Sequence, residues 1–505
     1  MIYCITNGLG KKLPGIEHSQ VNRIKLLNEY QQESKIITLC HNPELYENAK
    51  LLSIEENIFS IYDYFQESIG PKNHVAINYY EKWQKGENYR IEFVKNTTDI
   101  KVFFMEDYIC YVRFYDKEFQ KINYINYFDS PYQNRRKIRR EIFDTRGFLS
   151  QVKILGGKQK VELESYYNPS GSEKFRIYYN DKKEISRIHL LNYKNEERYF
   201  NNKEEWQAFF FDEINQPDTC FFTDRTRFVM DSIKMMKTKK RVYPVFHSIH
   251  LRDATDPVGS EITFPYQKIF SNLDQVSGVI ASTKQQAFEL NERLPEKLKA
   301  YPIPVGYSHD IPKRDFSTKN PYKIVCMARY YSEKQLLHQI KVIQSLVPSF
   351  PELELHLYGY GDGSDGFKEE KMLKKYVDEH QLNQHVFFRG YVREISSEYE
   401  DAGVMLLTSN LEGFCLAMLE AVEHGVPVIS YDIRYGPSEI IVDGQNGFLV
   451  EKNNMTEMKE KLCYLLAHPE VHQKMSQESY KIAQKFSKDQ IIKKWQLLIN
   501  NDENK

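Results

Sequence analysis

Residues Thr408–Gly447 read TSNLEGFCLAMLEAVEHGVPVISYDIRYGPSEIIVDGQNG. The apolar run Val404–Leu407 just before them predicts a buried strand that delivers the polar turn Thr408-Ser409-Asn410 and then Glu412-Gly413-Phe414. A helix is predicted from about Cys415 to His424, with Leu416, Leu419 and Val422 on one face. Gly425 stops it where a left-handed residue is wanted, and Pro427 forbids its continuation. Val426–Tyr431 then reads as a short parallel strand, β-branched and bounded by turn residues. The unit is strand–turn–helix–strand, with carboxylates on either side of a helix start.

Ligands of open parallel sheets sit outside the carboxyl ends of the strands, where the following helices begin. Backbone N–H groups around Gly413–Leu416, with the helix dipole behind them, attract a phosphate there. Glu412, in the turn, faces what is bound. Glu420, two turns along, is placed to accept hydrogen bonds from hydroxyls such as those of a ribose. On pattern alone, a structural βα unit with solvated glutamates fits equally well.

The two glutamates stand in E-G-F-x-L-x-x-L-E-A, followed by G-V-P-V-I. This stretch resembles the signature of the family 4 retaining glycosyltransferases. The resemblance implies an α/β GT-B enzyme that uses a nucleotide-sugar donor, with two Rossmann-like domains facing a cleft. It further implies that Glu412 holds the transferred sugar and Glu420 the nucleotide ribose. Gly413, Phe414, Cys415 and Leu416 then lie against the donor at the helix start.

Composition bounds the alternatives. At 505 residues the chain is too long for one core and suggests two or three domains. A net charge of −1 provides no global field for nucleic acid or a membrane surface. Seven scattered cysteines without a C-x-x-C argue against a disulfide framework or zinc ribbon and for a reducing compartment. Met1–Ile5 passes directly into a strand with no signal peptide, and no run of about 18 apolar residues is present to span a bilayer. A cytoplasmic protein is expected.

Ile2–Thr6, a loop containing Gly8, Gly10, Pro14 and Gly15, a helix over about Ile16–Tyr30 and a strand over Ser34–Leu39 open a doubly wound domain. From Val75 to Tyr199 the periodicity changes to short alternating runs, Tyr89–Val94, Ile100–Phe104, Tyr108–Phe114, Lys121–Tyr127, Gln151–Ile154, Lys174–Tyr179 and Ile185–Leu190, separated by turn residues, which predicts an antiparallel meander inserted into that domain. The βα pattern resumes near Trp206. The expected divisions are 1–72, the first part of the acceptor-side Rossmann-like domain, and 73–204, the β-rich insertion for acceptor binding or oligomerisation. They continue with 205–312, the rest of the first domain, 313–486, the nucleotide-sugar domain, and 487–505, a helix crossing back to the first lobe. A similar insertion occurs in a bacterial subgroup of family 4 whose members glycosylate serine-rich or serine–aspartate repeat adhesins, or decorate wall teichoic acid.

Further candidates lie outside the central stretch. Gly15 at a helix start permits close approach of a ligand, and the resemblance places a glycine here facing the donor diphosphate. His247-Ser248-Ile249-His250 ends a predicted strand, Val242–Phe246. The family has a histidine here that touches the donor sugar; His250 is preferred on its flanking residues, with His247 close behind. Arg329 and Lys334, five apart across a strand-to-helix turn, can converge on one diphosphate and offset the charge of a departing nucleoside diphosphate. An exposed pair has the same spacing, but the family shows the same R-x-x-x-x-K. In the family the loop that holds Tyr391 here contacts the nucleobase. The basic run Asn134–Arg140 is either a solvated strand face or a patch, formed by Arg135, Arg136, Lys137, Arg139 and Arg140, that recruits an anionic acceptor. No recognition helix or zinc finger accompanies it, so no nucleic-acid partner is expected.

The resemblance implies a retaining hexosyltransferase with UDP-GlcNAc as first donor and UDP-Glc as second. It implies no cofactor and no metal, the UDP-sugar being a co-substrate. The expected acceptor is the serine hydroxyls of an acidic repeat adhesin, with poly(polyol-phosphate) wall teichoic acid as the alternative. A homo-oligomer or a complex with a paralogous subunit is expected. A non-catalytic partner or chaperone subunit is the alternative of another class, and it predicts loss of Glu412, Arg329 or Lys334; all three are present.

Overall fold

The computed structural model describes residues 1–74, 78–129 and 136–501. The chain divides into two compact units, residues 1–13 with 31–242 and residues 14–30 with 243–505. The expected divisions put Gly15 and residues 243–312 in the first domain; in the structure they cluster with the carboxyl-terminal half.

In the first unit four strands run parallel in the order Cys220–Thr223, Ile2–Thr6, Ser34–Thr38 and Ile58–Ser60. Ten further strands, from Tyr89–Phe93 to Glu196–Phe200, form one antiparallel sheet in which each strand pairs with its neighbour in sequence. This is the expected meander, with three strands that the alternation did not reveal: Lys137–Phe143, Val161–Tyr167 and Glu196–Phe200. The first of these carries charges at consecutive positions, which obscures the period of two. One face of the sheet's early strands is closed by the helix Tyr79–Lys85, whose Trp83 joins Ile100, Val102, Val112 and Ile125 in a core. The later strands pack through aromatic rings: Trp206 of the helix Lys203–Ile214 meets Tyr62, Phe65 and Phe175 at centroid distances of 5.3, 5.3 and 5.5 Å. Buried Arg146, in a turn of this sheet, pairs with Asp144 of the same turn and with Asp63 of the helix Ile61–Phe65, both at 2.8 Å.

In the second unit, Val245 and Phe246 of the strand Arg241–Phe246 pair in parallel with Val279–Ala281, which pairs in parallel with Ala300–Pro302. Six others form a parallel sheet in the order Val386–Gly390, Glu354–Tyr358, Asn320–Met327, Ala402–Leu407, Val428–Tyr431 and Gly447–Val450. Numbered in chain order these are 3-2-1-4-5-6, so the winding reverses between Asn320–Met327 and Ala402–Leu407. Ala402–Leu407 is buried at every position, as expected of a strand covered on both faces. The helix Leu416–Glu423 follows, and Gly425 ends it at φ 67° with the Tyr480 ring filling the space where a Cβ would stand. The amino-terminal helix Gly15–Glu29 also belongs to this unit: Arg23 lies over Trp495 at 5.1 Å, and Lys488 pairs with Glu29 at 2.6 Å, both partners on the carboxyl-terminal helix Lys488–Asn501. Among the described residues no helix is long and apolar enough to cross a membrane.

Candidate functional site

Asn320–Met327 and Ala402–Leu407 are the adjacent strands between which the winding reverses, and the connections leaving their carboxyl ends stand where open parallel sheets bind their ligands. The first connection carries Arg329 and Lys334, the second Ser409 and Glu412. Lys334 Nζ donates to Glu412 Oε1 at 2.7 Å, and Ser409 Oγ donates to the same oxygen at 2.7 Å. The two connections are also laced by backbone: Asn410 N–H donates to the Glu333 carbonyl at 2.7 Å, and Thr408 Oγ1 to that of Lys334 at 2.9 Å. The Lys334 and Glu412 side chains are only 18% and 11% exposed, so the pair is shielded from screening by solvent. Burial alone would lower the Lys334 pKa, yet the facing Glu412 carboxylate leaves it raised and the ammonium firmly charged.

Arg329 is more exposed and lies 4.2 Å over the Tyr331 ring, with Glu333 at 3.5 Å. Its charge is among those that oppose protonation of Lys334, which places two cations on one connection. Tyr391, after the strand Val386–Gly390, meets Tyr360 edge-on at 5.8 Å.

The turn holding Glu412 is gripped from two sides. Tyr435 N–H donates to the Glu412 carbonyl and Gly436 N–H to that of Gly413, both at 3.1 Å. On the other side Gly413 is pressed on the His247 backbone, where a Cβ would lie 2.1 Å from the carbonyl oxygen. Phe414 is buried, and Cys415 takes a left-handed φ of 65° to start the helix Leu416–Glu423, one residue later than expected. Leu416 packs over Gly306.

The two candidate histidines differ in environment. His250 is 0% exposed and stacked on Tyr435, and burial pushes its pKa down to about 3. His247 is half-buried at the flank of Gly413, its backbone N–H donating to Tyr266 Oη at 3.0 Å.

Glu420, on the helix Leu416–Glu423, has His18 Nδ1 at 4.0 Å and Tyr399 Oη donating at 3.5 Å. His18 comes from the helix Gly15–Glu29, and a Cβ on Gly15 itself would meet nothing within 4 Å, which leaves the helix start open to approach. Buried Glu423 accepts from His309 N–H at 2.6 Å and lies 3.2 Å from its ring. Burial, with Glu423 nearby, raises the Glu420 pKa to about 7, against the smaller opposing effects of His309 and Tyr399. A carboxyl with a raised folded-state pKa binds its proton more tightly folded than unfolded, so its contribution favours the folded state at low pH and is lost as pH rises through about 7. The stability of the wild type relative to Glu420→Gln is therefore expected to fall between the usual carboxylate range and about pH 7, checked by denaturant melts across pH.

Of the basic run, Lys137, Arg139 and Arg140 lie on the strand Lys137–Phe143 of the ten-stranded sheet. Arg135 lies outside the described residues. Arg136 is held by Asp129 at 2.7 Å, Lys137 exchanges backbone bonds with the Gln159 side chain, and Arg139 pairs with Glu141. Arg140 donates to Asn126 at 2.7 Å and lies 4.4 Å over Tyr124. Among the described residues no group of three or more His, Cys, Asp or Glu is placed to hold a metal ion.

Ser409, Tyr435, Gly436 and Tyr266 were not anticipated as parts of this arrangement. Ser409 lies three residues before Glu412, in the same turn, and its hydroxyl reaches that carboxylate. The others reach the Glu412 turn from distant segments.

Residues 309–482 match the family model described as glycosyl transferases group 1. The chain is 25% identical to the poly(glycerol-phosphate) alpha-glucosyltransferase of Bacillus subtilis (strain 168) over 99% of its own length and 74% of the relative's. It is 26% identical to the GtfA subunit of the UDP-N-acetylglucosamine–peptide N-acetylglucosaminyltransferase of Streptococcus gordonii, over 99% and 98% of the two chains. The crystal structure of the pneumococcal O-GlcNAc transferase GtfA in complex with UDP and GlcNAc superposes with a TM-score of 0.85 at 22% identity, covering 100% of this chain and 99% of that one.

Proposed function

We propose that this GT-B glycosyltransferase, whose residues 309–482 belong to the group 1 glycosyl transferases, moves a hexose with retention from a UDP-sugar to hydroxyls of a bacterial surface polymer. GlcNAc is the first choice of sugar and glucose the second. The observation that carries the reading is the Lys334–Glu412 contact of 2.7 Å at the reversal point of the parallel sheet.

Cleaving the anomeric bond leaves an oxocarbenium-like centre and a departing diphosphate. Lys334 and Arg329 sit on one connection, where they meet the charge that grows on that diphosphate. Glu412, fixed by Ser409 and Lys334, positions the sugar. Glu420 receives the ribose hydroxyls, Gly413–Leu416 and Gly15 approach the donor, and Tyr391 lies at the nucleobase. His247 faces the sugar in preference to His250, because His250 is enclosed against Tyr435 while His247 borders Gly413.

Similarity to a peptide N-acetylglucosaminyltransferase over nearly the whole of both chains favours serine hydroxyls of an acidic repeat adhesin, modified in the cytosol before export. Similarity to a poly(glycerol-phosphate) glucosyltransferase favours a second reading, a poly(polyol-phosphate) teichoic acid acceptor. Arg136, Lys137, Arg139 and Arg140 are the candidate acceptor contacts, with Arg135 beside them in sequence. A second copy or a paralogous subunit covers the edges of the ten-stranded sheet, Tyr89–Phe93 and Glu196–Phe200, as open strand edges require.

The test incubates the protein with labelled UDP-GlcNAc or UDP-Glc and either an acidic serine-containing repeat peptide or teichoic acid. Transfer of GlcNAc to the peptide is the expected result. Transfer to teichoic acid alone selects the second reading, and transfer to neither removes both.

A further inference from the structure

The helix Lys284–Asn291 presents Gln286 and Glu289, three residues apart, on one buried face. Each reaches a segment that flanks the Glu412 turn. Gln286, 0% exposed, donates through Nε2 to the Ser248 carbonyl at 2.8 Å, next to the His247 backbone on which Gly413 rests. Glu289, 5% exposed, accepts from Tyr435 Oη at 2.6 Å through Oε2 and holds Arg434 Nε 3.0 Å from Oε1. Tyr435 and Gly436 are the residues whose N–H groups hold the carbonyls of Glu412 and Gly413 at 3.1 Å. The segment gains further support: Arg434 donates to the Ala254 carbonyl, His250 stacks on the Tyr435 ring at an interplanar angle of 10°, and Glu439 accepts the Lys284 N–H at 3.1 Å.

A carboxylate this deeply enclosed is costly unless it is paired, so Glu289 fixes both partners where it stands. Its two partners are consecutive residues, and the backbone they share is hydrogen-bonded to the residue that positions the sugar. Glu289 thus holds, by their side chains, the two residues whose backbone brackets Glu412. We infer that Glu289 is a positioning residue for sugar transfer, acting on Glu412 through the Arg434–Gly436 backbone, with Gln286 bracing the opposite flank. The inference rests on the role given to Glu412 above.

The test is a double-substitution cycle on the full chain with UDP-GlcNAc turnover as readout. Glu289→Ala is expected to lower kcat about tenfold or more, with the donor KM changed less than about threefold, because donor binding rests on Arg329, Lys334 and Glu420. In the Glu412→Ala background the same substitution is expected to change kcat less than about threefold, since the group it positions is gone. A full additional loss in that background overturns the inference, as does a Glu289→Ala protein with wild-type kcat. If Glu289→Ala does not fold, Tyr435→Phe, which removes the donor to Glu289 Oε2, enters the same cycle with the same expectations. Wild-type turnover by Glu412→Ala alone marks the separate failure of the transferase reading, and the inference falls with it.

Discussion

Replacing Glu412 by alanine is expected to lower turnover of the UDP-sugar by about 10²–10³-fold, the usual effect of losing one preorganised electrostatic contact, while UDP affinity stays equal or increases. The two halves of this expectation have one origin. In the protein the Glu412 carboxylate accepts from both Ser409 and Lys334, and it neutralises the Lys334 ammonium at 2.7 Å. Without it a diphosphate meets a less compensated cation, so binding of UDP is not weakened. The sugar loses the acceptor that fixes its position, so the chemical step suffers. Steady-state kinetics and UDP titration of the same preparation check both halves, and a thermal melt separates them from misfolding. Glu412→Gln keeps the shape and an acceptor oxygen, and is expected to recover part of the turnover.

Gly413→Ala carries the second large effect. A methyl group at this position would stand 2.1 Å from the His247 carbonyl oxygen and 2.5 Å from its carbon. Backbone atoms do not rotate aside as a flexible side chain does, so the turn itself must move. Its other flank is pinned by the Tyr435 and Gly436 N–H groups, and the displacement therefore passes to Glu412. A shift near 1 Å at a positioning group costs about 10²-fold in rate, and overpacking of this kind costs about 1–3 kcal/mol in stability. Turnover is expected to fall about 10²-fold, and the denaturation midpoint is expected to fall with it; kinetics and a chemical melt of the one variant check both.

The parts of the site that could be read from the sequence are those whose chemistry is local. Strand Ala402–Leu407, the helix after it and its glycine stop follow from an apolar run, a helical stripe and a left-handed position, all within 25 residues. Arg329 and Lys334 were legible because a strand-to-helix turn fixes where a five-residue spacing ends, although Arg329 also has a local partner in Glu333, four residues on. Glu289, Gln286 and Tyr266 were not legible: Gln286 and Tyr266 act on the backbone, and Glu289 on the side chains, of segments from 19 to 146 residues away, and no periodicity or spacing encodes such a contact. The environments of His247 and His250 were not legible for the same reason. Flanking residues favoured His250, but burial against Tyr435, 185 positions on, sets its environment.

The fold shows the same division. The meander was readable where apolar and polar residues alternate and was missed at Lys137–Phe143, where the basic run and its acidic partners fill a strand. The helix Gly15–Glu29 follows the first strand in sequence, yet it packs with the carboxyl-terminal helix through Arg23 on Trp495 and Glu29 on Lys488. Those contacts span more than 450 residues, and only the folded chain brings them together.

Everything proposed for the donor depends on Lys334 meeting the diphosphate at the reversal point of the parallel sheet. Calorimetric titration of UDP into the wild type and into Lys334→Ala tests this most directly. A hydrogen bond to a charged group contributes about 1.5–3 kcal/mol, so the variant is expected to bind UDP at least about tenfold more weakly. Equal affinity in the two proteins would contradict the account.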